Sequence, residues 1–238
     1  MYQRRKQRDE DMTAPDLSGG MITALKGQVR DPERVSVFID DHFAFGIAAS
    51  TAVKEGLRIG DQVDAARVAE LVTMDEVGRA TGAALNLLAR RPRSTREITD
   101  RLHRKGFAPP AIDAAVVRLE GWNYLDDADF ARYWVENREA NRPRGRRLLE
   151  QELHHKGVDR ELARAAVEAA APNEHDAALA MARSKVRSYS GLDPMVARRR
   201  LTGFLGRRGY GFDVIVPVID RVFDEASDDD TDDDMRDE

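Results

Sequence analysis

Three times in this chain a helix-forming stretch ends in a basic residue, a glycine and an apolar residue: Lys105-Gly106-Phe107, Lys156-Gly157-Val158 and Arg208-Gly209-Tyr210. The intervals are 51 and 52 residues. An internal period of that size restricts the chain to tandem copies of one small helical unit. Such an array favours an extended binding surface over a single deep pocket.

The glycines set the register. With residues 94–107, 145–158 and 197–210 superposed, Ile98, Leu149 and Leu201 coincide, as do Leu102, Leu153 and Leu205. Each pair is four residues apart, so each copy buries the same stripe of one helix. A following helix repeats as well: Ile112, Val116 and Leu119 stand at the same offsets from the corner as Ile215, Ile219 and Val222, while the middle copy, one residue short, offers Leu162 and Ala166. The preceding helices are expected over 80–91, 127–141 and 173–188, with joints at Pro92, Pro143, Pro172 and Pro194. Good helix formers over 65–71 and 76–90 supply a lead-in.

Ahead of the repeats the period changes to two. Val35, Val37 and Ile39, then Phe43, Phe45 and Ile47, flank Asp40-Asp41 as the strands of a hairpin would. Ser50 or Thr51 is placed to cap a short helix that Gly56 stops. The fold class is therefore mainly α: tandem three-helix units in an elongated array, preceded by a small β-rich module. The expected divisions are a disordered extension over 1–20, the β-rich module over 21–62, and three-helix units over 63–125, 126–172 and 173–223. A disordered acidic tail follows over 224–238.

Charge is unevenly divided. The last fifteen residues carry ten carboxylates and one arginine, so a formal net charge of −5 hides a body of +4. Cysteine is absent, which excludes disulfides, thiol catalysis and cysteine-ligated metals. The charged opening lacks the apolar stretch of a secretory signal, and no apolar run approaches membrane-spanning length. A cytoplasmic monomer is expected.

Glycine just past a helix that ends in Lys or Arg is first of all a helix stop, the cation favouring the last carbonyls. Arg96, Arg147 and Arg199 are less easily dismissed. Each lies two residues before the apolar anchor and points outward, and Arg104, His155 and Arg207 recur at a second outward place. Two readings stand: a solvated surface, or a face that tracks a repeating polyanion or an acidic protein groove. Arg142, Arg144, Arg146 and Arg147 form the densest basic cluster, read either as a polar linker or as a phosphate-binding loop at a helix N-terminus. The acidic run from Asp126 to Asp129 reads as helix capping, with Phe130 buried behind it. Trp122, Tyr124, Tyr133 and Trp134 read as core. Neither a phosphate-binding glycine loop, nor HExxH, nor GxSxG occurs. No catalytic residue, cofactor or metal is assigned, and an enzyme is not expected.

The order of these motifs resembles the RecX family, bacterial regulators of the RecA recombinase. The resemblance is carried by Leu125-Asp-Asp-Ala-Asp-Phe130-Ala131, by Glu152-Leu153-His-His-Lys156-Gly157-Val158, by Gly145 with Arg147, and by the tandem three-helix units. The stretch from Val35 to Gly46 and Leu57-Arg-Ile-Gly-Asp61 resemble the β-rich start of longer family members. It extends from residue 21 to 223 and implies a non-enzymatic protein lodged in the groove of the RecA–DNA filament. There such a protein damps strand exchange, ATP hydrolysis and co-protease activity, in DNA recombination, repair and the SOS response. DNA, single- or double-stranded, is a weaker and salt-sensitive partner in this reading. The competing classes are a stand-alone helix-turn-helix-like DNA-binding regulator and a scaffold for another helical assembly.

Overall fold

The computed structural model describes residues 17–170 and 174–234. Most of the expected N-terminal extension, the joint at Pro172 and residues 235–238 lie outside them. β1 (Gly20–Gly27), β2 (Arg34–Ile39), β3 (His42–Ala48) and β4 (Gln62–Val63) make one antiparallel sheet in the order β3-β2-β1-β4. Gly20 already pairs with Val63, so the sheet begins before residue 21. Asp40 and Asp41 take φ of 46° and 65°, the left-handed pair that a two-residue hairpin loop requires. Alternation turns Val37, Phe45 and Ile47 inward against Ile22 and the buried Val68 and Leu71.

α1 (Ala49–Lys54) follows β3 directly, with Ala48 at its N-cap in place of Ser50 or Thr51. The reason is local: Ala49 N–H already donates to Glu33 O at 2.7 Å, so the first turn does not need a hydroxyl cap there. α2 (Ala65–Leu88) joins the two expected helical stretches into one. Asp75 sits at the join, 6% exposed. It receives Arg34 through two bonds of 3.0 and 2.8 Å and the Ala48 amide at 3.0 Å. A buried carboxylate so fully bonded continues the inward face where an apolar side chain would otherwise stand.

The remaining helices are α3 (Thr95–Arg104), α4 (Pro109–Gly121), α5 (Asp127–Asn141), α6 (Arg146–His155), α7 (Arg160–Ala169), α8 (Glu174–Val186), α9 (Pro194–Arg207) and α10 (Phe212–Asp234), with a short 3-10 turn after α8. All six aligned anchors, Ile98, Leu102, Leu149, Leu153, Leu201 and Leu205, are buried. Ile112 and Leu119 are buried in α4, and Ile215, Ile219 and Val222 in α10. The middle repeat is not one residue short: α7 begins two residues after Val158, as α4 does after Phe107 and α10 after Tyr210. Ala163 and Val167 therefore take the buried places that Ile215 and Ile219 take in α10, and Leu162, one position earlier, is 38% exposed. Pro194 is the first residue of α9 rather than a joint, since Asp193 caps the helix ahead of it.

The acidic segment expected to be disordered from 224 is helical as far as Asp234. Once a helix is seated on a buried face, each added residue gains a backbone hydrogen bond at small cost. Glu225 is also held by Arg183 at 2.6 and 2.9 Å and by Arg221 at 3.1 Å.

The chain forms two compact units. One contains the sheet, α2 to Asn86 and Arg101–Gly121; the other contains Leu87–Asp100 and everything from Trp122 onward. The first half of α3 thus belongs with the later repeats. Within the second unit, α5, α6 and α7 enclose one core, and α8, α9 and α10 another.

Replacing Asp75 by Ala strands the Arg34 guanidinium in the half-buried cleft beside α2. The expected loss is about 3 kcal/mol, read as reduced hydrogen-exchange protection of β2 and β3. Undiminished protection would show that the pair does not hold the sheet to α2.

Candidate partner-binding surface

The three corners share one backbone. Gly106, Gly157 and Gly209 have φ of 86°, 83° and 92°. The residue after each glycine donates back to a leucine of the helix: Phe107 to Leu102 at 3.3 Å, Val158 to Leu153 at 3.1 Å and Tyr210 to Leu205 at 3.3 Å. Each glycine amide donates to the third residue before it, at 2.9, 2.9 and 3.0 Å. This double bond pattern ends a helix only where the turning residue is left-handed, which glycine reaches without strain.

The corner also seats the preceding repeat. The Ser94 hydroxyl, fully buried at the start of α3, donates to Lys156 O at 2.6 Å. Gly145, the aligned residue at the start of α6, donates its amide to Arg208 O at 2.9 Å. A Cβ on Gly157 would collide with the Arg96 stem, and one on Gly209 with Leu148. The glycines are therefore needed twice, once for φ and once for close approach.

Around the Lys156 corner the charges interlock. Glu97 receives Lys156 Nζ at 2.8 Å and Arg91 at 2.9 and 3.1 Å. Burial raises the Glu97 carboxyl, but hydrogen bonds from Arg91 and Lys156 outweigh it and hold the group at about 2. Lys156 Nζ also stands 4.8 Å from the Trp134 ring centroid, with Arg138 at 4.3 Å on the same ring. Glu152 takes Trp134 Nε1 at 3.0 Å and Arg138 Nε at 2.7 Å. Asp126 caps its own helix, while Asp127 accepts the Thr95 amide at 2.8 Å and so caps α3. At the third corner Tyr210 is buried, and burial together with the nearby Glu174 charge pushes its phenol up to about 12.

The nominated basic residues separate into two groups. Arg96, Arg147 and Arg199 are exposed at equivalent places on α3, α6 and α9, and Arg104, His155 and Arg207 are exposed at the second place. His155 turns Nδ1 to within 2.7 Å of Gln151 O. The Arg142–Arg147 cluster does not present four equivalent cations. Arg142 and Arg147 are exposed. Arg144 is half-buried with Nε 3.8 Å from Glu152, and Arg146 is tied to Glu174 at 2.6 Å. Arg147 lines an open groove of about 390 Å³ with His154, Arg160 and Arg164, but Glu150 and Glu161 line it too.

The aromatic reading is corrected for three residues of four. Trp122, Tyr124 and Tyr133 are 52%, 60% and 37% exposed, and only Trp134 packs against the core. Trp122 and Tyr124 flank Asn123, whose φ of 58° marks a short turn between α4 and α5 rather than a helix face. The residues missed in the sequence are Ser94, Glu97, Asp127 and Glu152. Their signal was faint: Ser94-Thr-Arg-Glu97 has capping-box spacing, but nothing local marks what the box would touch. Among the described residues, no group of His, Asp or Glu is arranged to hold a metal ion, and no helix is long and apolar enough to cross a membrane.

Comparisons with known proteins follow the same outline. The sequence matches the RecX N-terminal domain over residues 20–64. It matches the first, second and third RecX three-helix domains over residues 80–119, 126–167 and 173–219. It is 33% identical to the regulatory protein RecX of Bacillus licheniformis over 195 residues, covering 82% of this chain and 74% of that protein. Its identity to the Clostridium botulinum regulatory protein RecX is 31% over 201 residues, covering 83% and 94%. A crystal structure of regulatory protein RecX shares the fold with a TM-score of 0.71 at 21% identity, covering 84% of this chain and 98% of that one. RecX from Lactobacillus salivarius does so at 0.60 and 20% identity, covering 63% and 97%.

The Glu97 pairing has a pH signature. A carboxylate held below its ordinary value of about 4.3 contributes fully above that value, and the contribution is lost as pH falls toward about 2. Trp134 emission, followed in a Trp122→Phe background, should change through this window and lose that change in Glu97→Gln. An identical acid transition in the glutamine variant would show that another group governs the corner.

Proposed function

Because the chain belongs to the RecX family of regulatory proteins, we propose that it is a non-enzymatic regulator that lodges in the helical groove of the RecA–DNA filament. In that position it slows ATP hydrolysis, strand exchange and co-protease activity in the cytoplasm, and so bears on recombination, repair and SOS control. The observation that carries the reading is the recurrence of Arg96, Arg147 and Arg199 at one exposed place in three repeats. A surface charge at one site is ordinary solvation. The same charge at a fixed interval of about 50 residues suits a partner that is itself a repeating assembly.

The charge pattern favours a protein groove over naked duplex. Glu150 and Glu161 line the α6–α7 groove beside Arg147, and Arg164 is already paired with Glu168 at 2.8 Å. A helix-turn-helix reader needs phosphate-facing cations without carboxylates between them. DNA is accordingly a secondary, salt-sensitive contact. The functional divisions follow the repeats, with units over 63–125, 126–172 and 173–223 acting as successive contact blocks.

Steady-state ATP hydrolysis by the cognate RecA on single-stranded DNA should fall when this protein is added at sub-stoichiometric to stoichiometric amounts. No effect on the rate would sink the reading. Charge reversal of Arg96, Arg147 and Arg199 together should weaken the inhibition about tenfold or more, with the helical circular dichroism unchanged. Full inhibition by that folded triple variant would remove these arginines from the mechanism.

A further inference from the structure

Among the described residues, two of the three corners are covered and one is open. Lys156 and Gly157 are half-buried and Val158 is buried; Arg208 and Gly209 are half-buried and Tyr210 is buried. At the first corner Lys105 and Gly106 are exposed and Phe107 is only half-buried. The backbone there is the same, with the same left-handed glycine and the same pair of closing hydrogen bonds. A Cβ on Gly106 would meet nothing within 4 Å, whereas at the other two corners it would strike the seated helix.

We infer that the Lys105-Gly106-Phe107 corner is a docking site for the N-terminal turn of a helix from a partner protein, a turn of the Ser-x-x-Glu kind. The Lys156 corner displays the chemistry of that occupant. A serine hydroxyl donates to the corner carbonyl at 2.6 Å, and a glutamate three residues later receives the corner ammonium at 2.8 Å. The stem of the intervening arginine passes over the glycine. Lys105 repeats Lys156 in type and position, so the same glutamate spacing meets the same cation. Phe107, with Arg79 5.9 Å from its ring centroid, supplies an apolar floor.

The occupant is not a second copy of this chain. Among the described residues, the helix starts of this design are those of α3 and α6, and both are already seated. The third repeat offers no equivalent, because α9 begins a turn earlier. Asp193 caps Met195 and Val196, and the amide of Ala197, aligned with Ser94 and Gly145, donates to Asp193 O at 2.9 Å. The inference rests on the filament reading, with a filament subunit as the partner that presents this turn once per subunit.

The test uses the full chain carrying Lys105→Glu or Gly106→Asn, the latter placing a Cβ and a short side chain at a left-handed position that asparagine tolerates. Each variant should need about tenfold more protein than wild type to slow the ATP hydrolysis of the recombinase filament, with circular dichroism unchanged. A photo-crosslinker at position 105 (Lys105→p-benzoyl-phenylalanine) should cross-link to the first turn of a partner helix with Ser at its N-cap and Glu three residues on. Should Gly106→Asn fail to fold, Lys105→Glu and the cross-link still decide the matter. Wild-type potency in Lys105→Glu overturns the corner site and leaves the filament reading standing. Cross-links to DNA, to a partner strand or loop, or to a second copy of this chain also overturn it. No slowing by wild type overturns both.

Discussion

The left-handed glycine at the end of each repeat's second helix is the constraint on which the arrangement of the later repeats depends. It ends the helix and turns the chain toward the next one, as any such glycine does. It also removes the one atom that would stand between two helices. Arg96 lies where the Gly157 Cβ would be, and Leu148 lies where the Gly209 Cβ would be. A side chain at either place would strain φ and separate the repeats together, so the stop and the seat cannot be exchanged for two independent features.

Apolar burial and charge divide the work at these seats. The stripe formed by Leu149, Leu153, Leu201 and Leu205 is nearly inaccessible to water, and each such side chain contributes about 2 kcal/mol of transfer free energy. The ionic groups add less net stability, because desolvation offsets much of the attraction. Their effect is on register. Glu97 is held by Arg91 and Lys156 at once, and a helix shifted by one residue would leave that carboxylate half-buried without either cation. Apolar stripes four residues apart tolerate sliding; this pairing does not.

Much of the fold was legible because it follows from period. The change from two to 3.6 between Ile47 and Ala65, the Asp40-Asp41 loop, the six anchors and the three glycine stops are all local patterns, and all appear where their spacing places them. What could not be read depended on distant partners. The continuity of α2 through Asp75 needs Arg34, which lies 41 residues away. Trp122 and Tyr124 look like core aromatics in sequence, yet they stand in a turn and are exposed. The nominated cations show the same limit. Arg146 and Arg144 look as free in sequence as Arg142 and Arg147, yet Glu174 and Glu152 hold them. Composition reports that a cluster is basic, and only tertiary structure tells which charges are already spent on the protein itself.

Seating has a direction. The helix start of one repeat rests on the corner of the next, from Ser94 to Lys156 and from Gly145 to Arg208. The third repeat lacks the outward amide: Asp193 caps α9 a turn earlier, Pro194, Met195 and Val196 extend it backward, and the Ala197 amide is consumed inside the helix. At 14 residues, α9 is thus longer than α3 and α6, which have 10 each. The same rule, read in the opposite direction, leaves the corner at Gly106 as the one built seat in the described repeats that no helix start among the described residues occupies.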